Sequence, residues 1–364
     1  MSPNLGGPDI RRPGAVDADW LTRVLQAGGV DAVVASFEAA NVGSGQIGES
    51  VRFRLRYARG GEGAPASIVG KFPSPDEDSR NTGVMLGNYV REVRFYQTLA
   101  AGALVSTPRC FFTEADDATG EFVLMMEDLS PAEQGDQLKG VSLDRARLVV
   151  EQAARLHASH WGDSGLDELP WVSGTKAAPP STVTPELVRA LWQSFRERYA
   201  ERLQPGWVEV GEVLTSAGWG AYGERHDGPR CLVHHDFRPD NMMFGTAAGG
   251  RPITVLDWQS VTYGAGATDV AYFLAGALPR DVRRAHEPQL LGLYHRTLCD
   301  LGVTGYGEAD LARHYAVGAF QLFLTAFFAS MIVVRTARGD DMFMQMLGSA
   351  ADHIVDHDAL ARLG

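Results

Sequence analysis

His234-His-Asp-Phe-Arg-Pro-Asp-Asn241 has the spacing H-x-D-x-x-x-x-N and stands directly after the apolar triplet Cys231-Leu-Val233. Met242-Met-Phe-Gly245 follows, then a turn through Gly249-Gly250, then Ile253-Thr-Val-Leu256 ending at Asp257. Two short strands joined by a tight turn set Asn241 beside Asp257, with Asp236 across from them on the preceding loop. Phosphoryl transfer requires such a set. Its transition state spreads charge over equatorial oxygens, so a protein contributes mainly position and charge neutralisation. Mg2+ takes hard oxygen ligands and keeps several waters, so the Asn241 amide oxygen and the Asp257 carboxylate suffice as its protein ligands. A carboxylate kept off the metal accepts the proton of the attacking hydroxyl, and Asp236 fits that role. A polar turn with an Asx cap explains one of these residues, not all three in this order around a hairpin. His234 reads as a buried histidine tying down the loop, with a catalytic base as the alternative.

The nucleotide half of such a site lies upstream. Gly43-Ser-Gly45-Gln-Ile-Gly48 sits between two strands, Val33 to Val42 and the alternating Val51, Phe53, Leu55, Tyr57. A strand after the glycines fits a phosphate-covering loop, whereas a dinucleotide-binding turn needs a helix there. A flexible hairpin turn has the same appearance. Lys71 interrupts the apolar strand Ser67 to Phe72 in a chain with three lysines against thirty arginines. A compact ammonium acts as a point charge on phosphate oxygens and needs a carboxylate to aim it. Glu92, on a helix expected over about 87–101, supplies one, with Glu77 and Asp78 as alternatives. An edge-strand lysine that discourages aggregation is the competing reading of Lys71.

Arg109 to Glu114 and Glu121 to Glu127 flank Asp116-Asp-Ala-Thr-Gly120 and read as a hairpin. After about residue 128 long helical patterns dominate: Leu143 to Trp161, Pro185 to Leu203, Asp281 to Leu301, Ala309 to Arg338, and a last one from Asp340. The expected fold class is therefore α+β. It is a bilobal, protein-kinase-like arrangement with a small β-rich first lobe, residues 1–127, and a larger helical lobe, residues 128–364.

With 364 residues the chain can bury a large core. Its net charge of −12 argues against a nucleic-acid partner. Cys110, Cys231 and Cys299 are sparse and lack a CxxC pattern, which fits a reducing compartment and gives no structural zinc site. Pro3, Pro8, Asp9 and Pro13 stand where a signal peptide needs an apolar run, so the expectation is a cytoplasmic protein. Tyr315 to Val334 is twenty residues without a formal charge, the length of a membrane span. It reads instead as a buried helix of the helical lobe, and no membrane span is expected.

The order of the glycine loop, Lys71, Glu92, Met125-Met-Glu-Asp-Leu129, Leu156-His-Ala158, His234-x-Asp236-x4-Asn241 and Leu256-Asp-Trp-Gln259 resembles the aminoglycoside phosphotransferase/choline kinase-like superfamily. Within it, Met126-Glu-Asp-Leu-Ser130, Leu256-Asp-Trp-Gln-Ser260 and Thr268-Asp-Val-Ala-Tyr-Phe-Leu274 look most like the ecdysteroid-kinase-like branch. The resemblance spans about residues 40–280. It implies a two-lobed fold with ATP (or GTP) and Mg2+ in the cleft, the glycine loop over the phosphates, and a hinge around Met126 and Glu127 whose backbone receives the base. Asp269 matches an aspartate that supports the catalytic loop in such families; read from its position alone, it equally suits a helix N-cap. His235 stands where protein kinases have arginine, and Trp258-Gln259 replaces their Phe-Gly. Only eleven residues separate Asp257 from Asp269, with no Ala-Pro-Glu, so no peptide-docking platform fits.

The expected activity is therefore transfer of a γ-phosphoryl group to a hydroxyl of a small molecule. The expected acceptor is a rather apolar metabolite, with Trp161, Trp171, Trp192, Phe195, Tyr199, Trp258 and Phe320 mostly in the core and a few available to line a lipophilic pocket. Two other functions compete: a nucleotide-binding module without turnover, and a metal-dependent hydrolase built on His234, His235, Asp236 and Asp257. Oligomeric state is not readable from the chain.

Overall fold

The computed structural model describes residues 7–43, 48–173, 183–216, 218–220 and 228–363. Helix α1 (Ala18–Ala27) begins where Asp17 accepts the amide of Trp20 at 2.7 Å, and it packs Trp20, Leu21, Val24 and Leu25 under the first sheet. That sheet is antiparallel and five-stranded, in the order β1 (Val33–Asn41), β2 (Gly48–Arg59), β3 (Ser67–Pro73), β5 (Phe122–Glu127), β4 (Cys110–Ala115). Strand alternation assigns its two faces. Val123 and Met125 of β5 join Phe53, Ile68 and Phe72 over α1, whereas Phe122 and Leu124 join a second core with Tyr89, Val93 and Phe95. The same alternation turns Lys71 away from Phe72. Gly70 is required there: a Cβ would meet the Phe72 ring at 2.6 Å and the Met125 sulfur at 2.7 Å.

Between β3 and β4 lie two helices, α2 (Glu77–Met85) and α3 (Asn88–Thr98). The sequence pattern predicts only α3, because α2 is polar almost throughout; its start is fixed by Asp76, which accepts the Ser79 amide at 2.8 Å. Gly87, with φ of 67°, makes the corner between the two helices.

The helical lobe follows a short strand, β6 (Glu133–Gln134). It contains α4 (Leu143–Ser159), α5 (Pro170–Ser173), α6 (Pro185–Arg198) and α7 (Pro205–Leu214). Strands β7 (Cys231–Val233), β8 (Met242–Thr246), β9 (Gly249–Val255) and β10 (Thr262–Gly264) then build two small sheets, β10–β7 and β6–β8–β9. The chain continues through α8 (Ala267–Ala277), α9 (Arg280–Asp300), α10 (Glu308–Ile332) and α11 (Ala337–Asp356). The helix expected over 309–338 stops at Ile332. Val333 is extended, and Thr336 restarts the chain as α11 by accepting the Gly339 amide at 3.0 Å.

By length and composition α10 could cross a membrane, with mean hydropathy 1.7 over its most apolar window, yet 61% of that window is buried inside the fold. Its Phe320, Phe323 and Phe327 share a core with Trp192, Phe195 and Tyr199 of the α6 segment. Of the aromatic residues that could have lined a lipophilic pocket, Trp192, Phe195, Tyr199, Trp258 and Phe320 are core. Trp161 and Trp171 pack half-buried against the second core, the one that holds Phe122, Leu124 and Phe95.

Candidate active site

The β8–β9 hairpin pairs Met242 with Val255, and the Leu256 amide donates to the Asn241 carbonyl at 2.8 Å. Asn241 and Asp257 therefore leave the hairpin side by side. Asp257 has φ of 65°, a left-handed conformation uncommon outside glycine, and it opens the turn Trp258–Ser260. That backbone carries its carboxylate to Lys71, whose Nζ lies 2.8 Å from Asp257 Oδ1 and 2.7 Å from Glu92 Oε2. Glu92 is 2% exposed and is the carboxylate on α3 that meets the lysine; its other oxygen accepts the Trp258 amide at 3.3 Å. Burial works against the Lys71 ammonium, but Asp257 and Glu92 outweigh it and hold its pKa above the ordinary value. Burial also pushes the Glu92 carboxyl up, and Lys71 offsets part of that rise. A buried pair of this kind is costly to split: removing one partner typically costs ~3–5 kcal/mol because the other charge is stranded.

Asp236 is held on every side. Arg238 Nε donates to its two oxygens at 3.1 and 3.2 Å, the Tyr272 hydroxyl donates at 2.8 Å, and Asn241 Nδ2 donates at 2.8 Å. Burial favours the protonated acid, yet Arg238, His234, Tyr272 and Asn241 together hold the Asp236 carboxyl below its ordinary pKa. Asp236 is thus an ionised, fixed acceptor. Because Asn241 commits its amide nitrogen to the Asp236 carbonyl and carboxylate, its Oδ1 is the atom it can offer to a cation. Arg238 is balanced on its far side by Asp240.

The loop bearing Asp236 is pinned from below by Asp269. This fully buried carboxylate accepts the amides of His234 and His235 at 2.7 and 2.9 Å and lies 3.2 Å from His157 Nε2. Asp269 sits inside α8, so the N-cap reading gives way to the loop-supporting one. Burial is again opposed, here by His157 and His234, and the Asp269 carboxyl lies below its usual range. His157 is oriented in turn by the Tyr294 hydroxyl at 2.7 Å. His234 is fully buried, with Nε2 donating to the Leu256 carbonyl at 2.8 Å and Nδ1 accepting the Asp236 amide at 3.3 Å. Both of its nitrogens are engaged, which removes it as a metal ligand and as a catalytic base.

Residues 46–312 match the phosphotransferase enzyme family. The chain belongs to that family. A stretch of 72 residues is 39% identical to acyl-CoA dehydrogenase family member 11 of Mus musculus, and it covers 18% of this phosphotransferase and 9% of the mouse protein. Among solved structures, a GDP complex of a mutant aminoglycoside 2'-phosphotransferase-IIIa superposes with a TM-score of 0.50 at 14% identity, covering 95% of this chain and 97% of that one. Plasmodium vivax ethanolamine kinase gives 0.49 at 11% identity, covering 86% and 81%. The fold of this phosphotransferase is the bilobal, kinase-like one.

The remaining sequence-predicted positions are placed as follows. Gly43 ends the described part of the loop after β1 with φ of 80°, Gly45 lies outside the described residues, and Gly48 opens β2. A Cβ on Gly48 would sit 3.2 Å from the Phe72 carbonyl and 3.5 Å from Lys71 Cε, so this glycine lets β2 close onto the lysine. Met126 and Glu127 end β5, half-buried. The Glu127 amide donates to the Arg109 carbonyl at 2.9 Å, and its carboxylate binds the Arg109 amide and Arg251. The Glu127 N–H is thus committed to the Arg109 carbonyl. Arg238 and Tyr272, which orient Asp236, and His157, which orients Asp269, were quoted in motifs without a role. The signal available for Arg238 was its spacing two residues beyond Asp236.

Proposed function

We propose that this phosphotransferase moves the γ-phosphoryl group of ATP or GTP onto a hydroxyl of a small metabolite, with Asp236 accepting the hydroxyl proton. The observation that carries this reading is that Asn241, tied to Asp236, and Asp257, tied to Lys71 and through it to Glu92, flank the same open end of one hairpin. Lys71, aimed by Glu92, neutralises phosphate oxygens. Asn241 Oδ1 and the Asp257 carboxylate form a hard-oxygen pair that fits Mg2+. When bound there, Mg2+ supplies charge neutralisation on the transferring phosphates. An ionised Asp236, held by three donors, orients the acceptor hydroxyl and takes its proton as the bond to phosphorus forms.

The loop bounded by Gly43 and Gly48 is assigned to the phosphates, the segment from Met126 onward to the base, and the lobe boundary to 127/128. The Met126–Ser130 and Thr268–Leu274 signatures support the ecdysteroid-kinase-like branch. The apolar character of the acceptor rests on that branch alone, because most of the aromatic candidates are core. The metal-dependent hydrolase reading fails on His234, which has no ring nitrogen to spare.

The test is a mass-spectrometric screen of metabolites incubated with the protein, Mg2+ and ATP or GTP. The expected result is one hydroxylated compound that gains a single phosphate, with the signal lost in Asp236→Asn. Nucleotide binding without phosphorylation of any acceptor overturns the proposal in favour of a binding module.

A further inference from the structure

Buried Arg283 and half-buried Arg238 each hold two carboxylates: Arg283 with Glu287 and Asp356, and Arg238 with Asp236 and Asp240. Arg91, on α3 beside Glu92, is different. Its Nε donates to the Trp171 carbonyl at 3.2 Å and its Nη1 to the Gln259 carbonyl at 2.9 Å, both neutral acceptors. Among the described residues no carboxylate pairs with it, and Nη2 makes no hydrogen bond. Burial accordingly pulls the guanidinium below its ordinary pKa. Arg91 is half-buried, and an anion that reaches Nη2 gains a charge-assisted hydrogen bond that no described carboxylate supplies.

His235 is a second group without a partner. It is a non-glycine residue with φ of 68°, and its amide is held by Asp269. Glycine would adopt this backbone without strain, whereas histidine does so at a cost. The imidazole makes no hydrogen bond to the described residues and immediately precedes Asp236; because β10 pairs with β7 with Thr262 opposite Val233, the Gln259 carbonyl held by Arg91 and the His235 loop leave the same end of that strand pair. Strain held at an active-site loop, with the strained side chain left unused by the protein, points to a ligand.

We propose that Arg91 and His235 form an acceptor-side subsite that recognises an anionic group, a carboxylate or a phosphate, on the molecule whose hydroxyl is phosphorylated. This rests on the phosphotransferase reading above and specifies its substrate class. The surroundings make the discrimination sharp. Asp236 and Asp257 are carboxylates of the candidate active site, and an acidic acceptor entering beside them needs a dedicated cation. An amino alcohol would gain nothing from Arg91 and would be repelled by it.

The test uses the full chain and an ADP-release assay with three sets of hydroxylated probes: anionic (hydroxycarboxylates and sugar phosphates, assayed separately), neutral polyols, and amino alcohols. The expected result is turnover of an anionic probe, and the two anionic sets distinguish carboxylate from phosphate. Arg91→Gln should raise the KM of that probe about tenfold or more, the weight of a charge-assisted hydrogen bond, and move the nucleotide KM far less. Arg91→Lys should recover part of the loss. His235→Gly should raise the same KM while melting at or above the wild-type temperature, because the backbone strain is relieved. Melting curves and nucleotide affinity of each variant report whether it has folded.

The proposal is overturned if no anionic probe is turned over, if neutral or amino alcohols are preferred, or if Arg91→Gln shifts the nucleotide KM and leaves the acceptor KM unchanged. Transfer to a neutral or cationic alcohol refutes this inference alone, whereas failure to bind nucleotide refutes the phosphotransferase reading beneath it.

Discussion

Replacing Asp269 with asparagine keeps the shape of the side chain and changes what two backbone amides find there. One oxygen of Asp269 accepts the His235 amide at 2.9 Å, and the other accepts the His234 amide at 2.7 Å and lies 3.2 Å from His157. Whichever way the new amide is turned, its NH2 faces one of those N–H groups. Losing that charge-assisted bond costs ~1.5–3 kcal/mol, and the surviving bonds fall to neutral strength for roughly another 1–2 kcal/mol. The total is about 2.5–5 kcal/mol at a site with no solvent exposure. At ~1.4 kcal/mol per decade, amide exchange in the 231–241 segment should accelerate by about two to three and a half orders of magnitude, while α1 and the first sheet stay protected. Hydrogen–deuterium exchange read by mass spectrometry measures this without any knowledge of the acceptor.

A second measurement isolates the strain. In a His235→Gly background the left-handed backbone no longer costs its ~1–2 kcal/mol, so the loop has less reason to relax when Asp269 is altered. The same substitution should then accelerate exchange about tenfold less. Exchange within threefold of wild type, or strictly additive effects of the two changes, would refute the clamp.

Asp236→Asn should leave nucleotide affinity near wild type and lower turnover by ~10²-fold or more, read by ADP release with the identified acceptor; a loss under fivefold removes Asp236 from the base role. Asp257→Ala should abolish Mg2+-dependent nucleotide binding in titration calorimetry, and an unchanged dependence on the metal would show that the cation is held elsewhere. The pH profile carries a sign: Asp236 must be ionised to act, and its carboxyl is depressed below the ordinary value of about 3.9, so activity should persist as pH falls until that depressed pKa is crossed. Arg238→Gln removes the largest influence that lowers it and should move the acid limb of kcat/KM to higher pH; an unmoved limb contradicts the pairing.

The placement of the candidate site residues was legible where spacing fixes geometry. Asp236, Asn241 and Asp257 flank a hairpin whose strands and turn announce themselves, and alternation along β3 turned Lys71 to the side where α3 lies. The choice of Glu92 over Glu77 and Asp78 was not legible. It depends on α2, a polar helix without periodicity that carries those two acids away from the lysine. The end of α10 was hidden for the opposite reason: the apolar run continues through Val333 and Val334 with no glycine or proline, and the stop comes from the cap at Thr336. Tyr272 and His157 act across long sequence separations on Asp236 and Asp269, and only packing brings such partners together.

The fastening of α3 has a consequence for control. The helix belongs to the first lobe by chain order, yet Glu92 receives the Trp258 amide, Arg91 reaches the Gln259 carbonyl, and the Phe95 ring lies on Trp258 with centroids 4.0 Å apart. An idle form with this helix swung outward would have to unstack the rings, strand a buried acid and free two backbone groups at once. The position of α3, and with it the set of Glu92 against Lys71, is thus fixed by contacts that form when the chain folds.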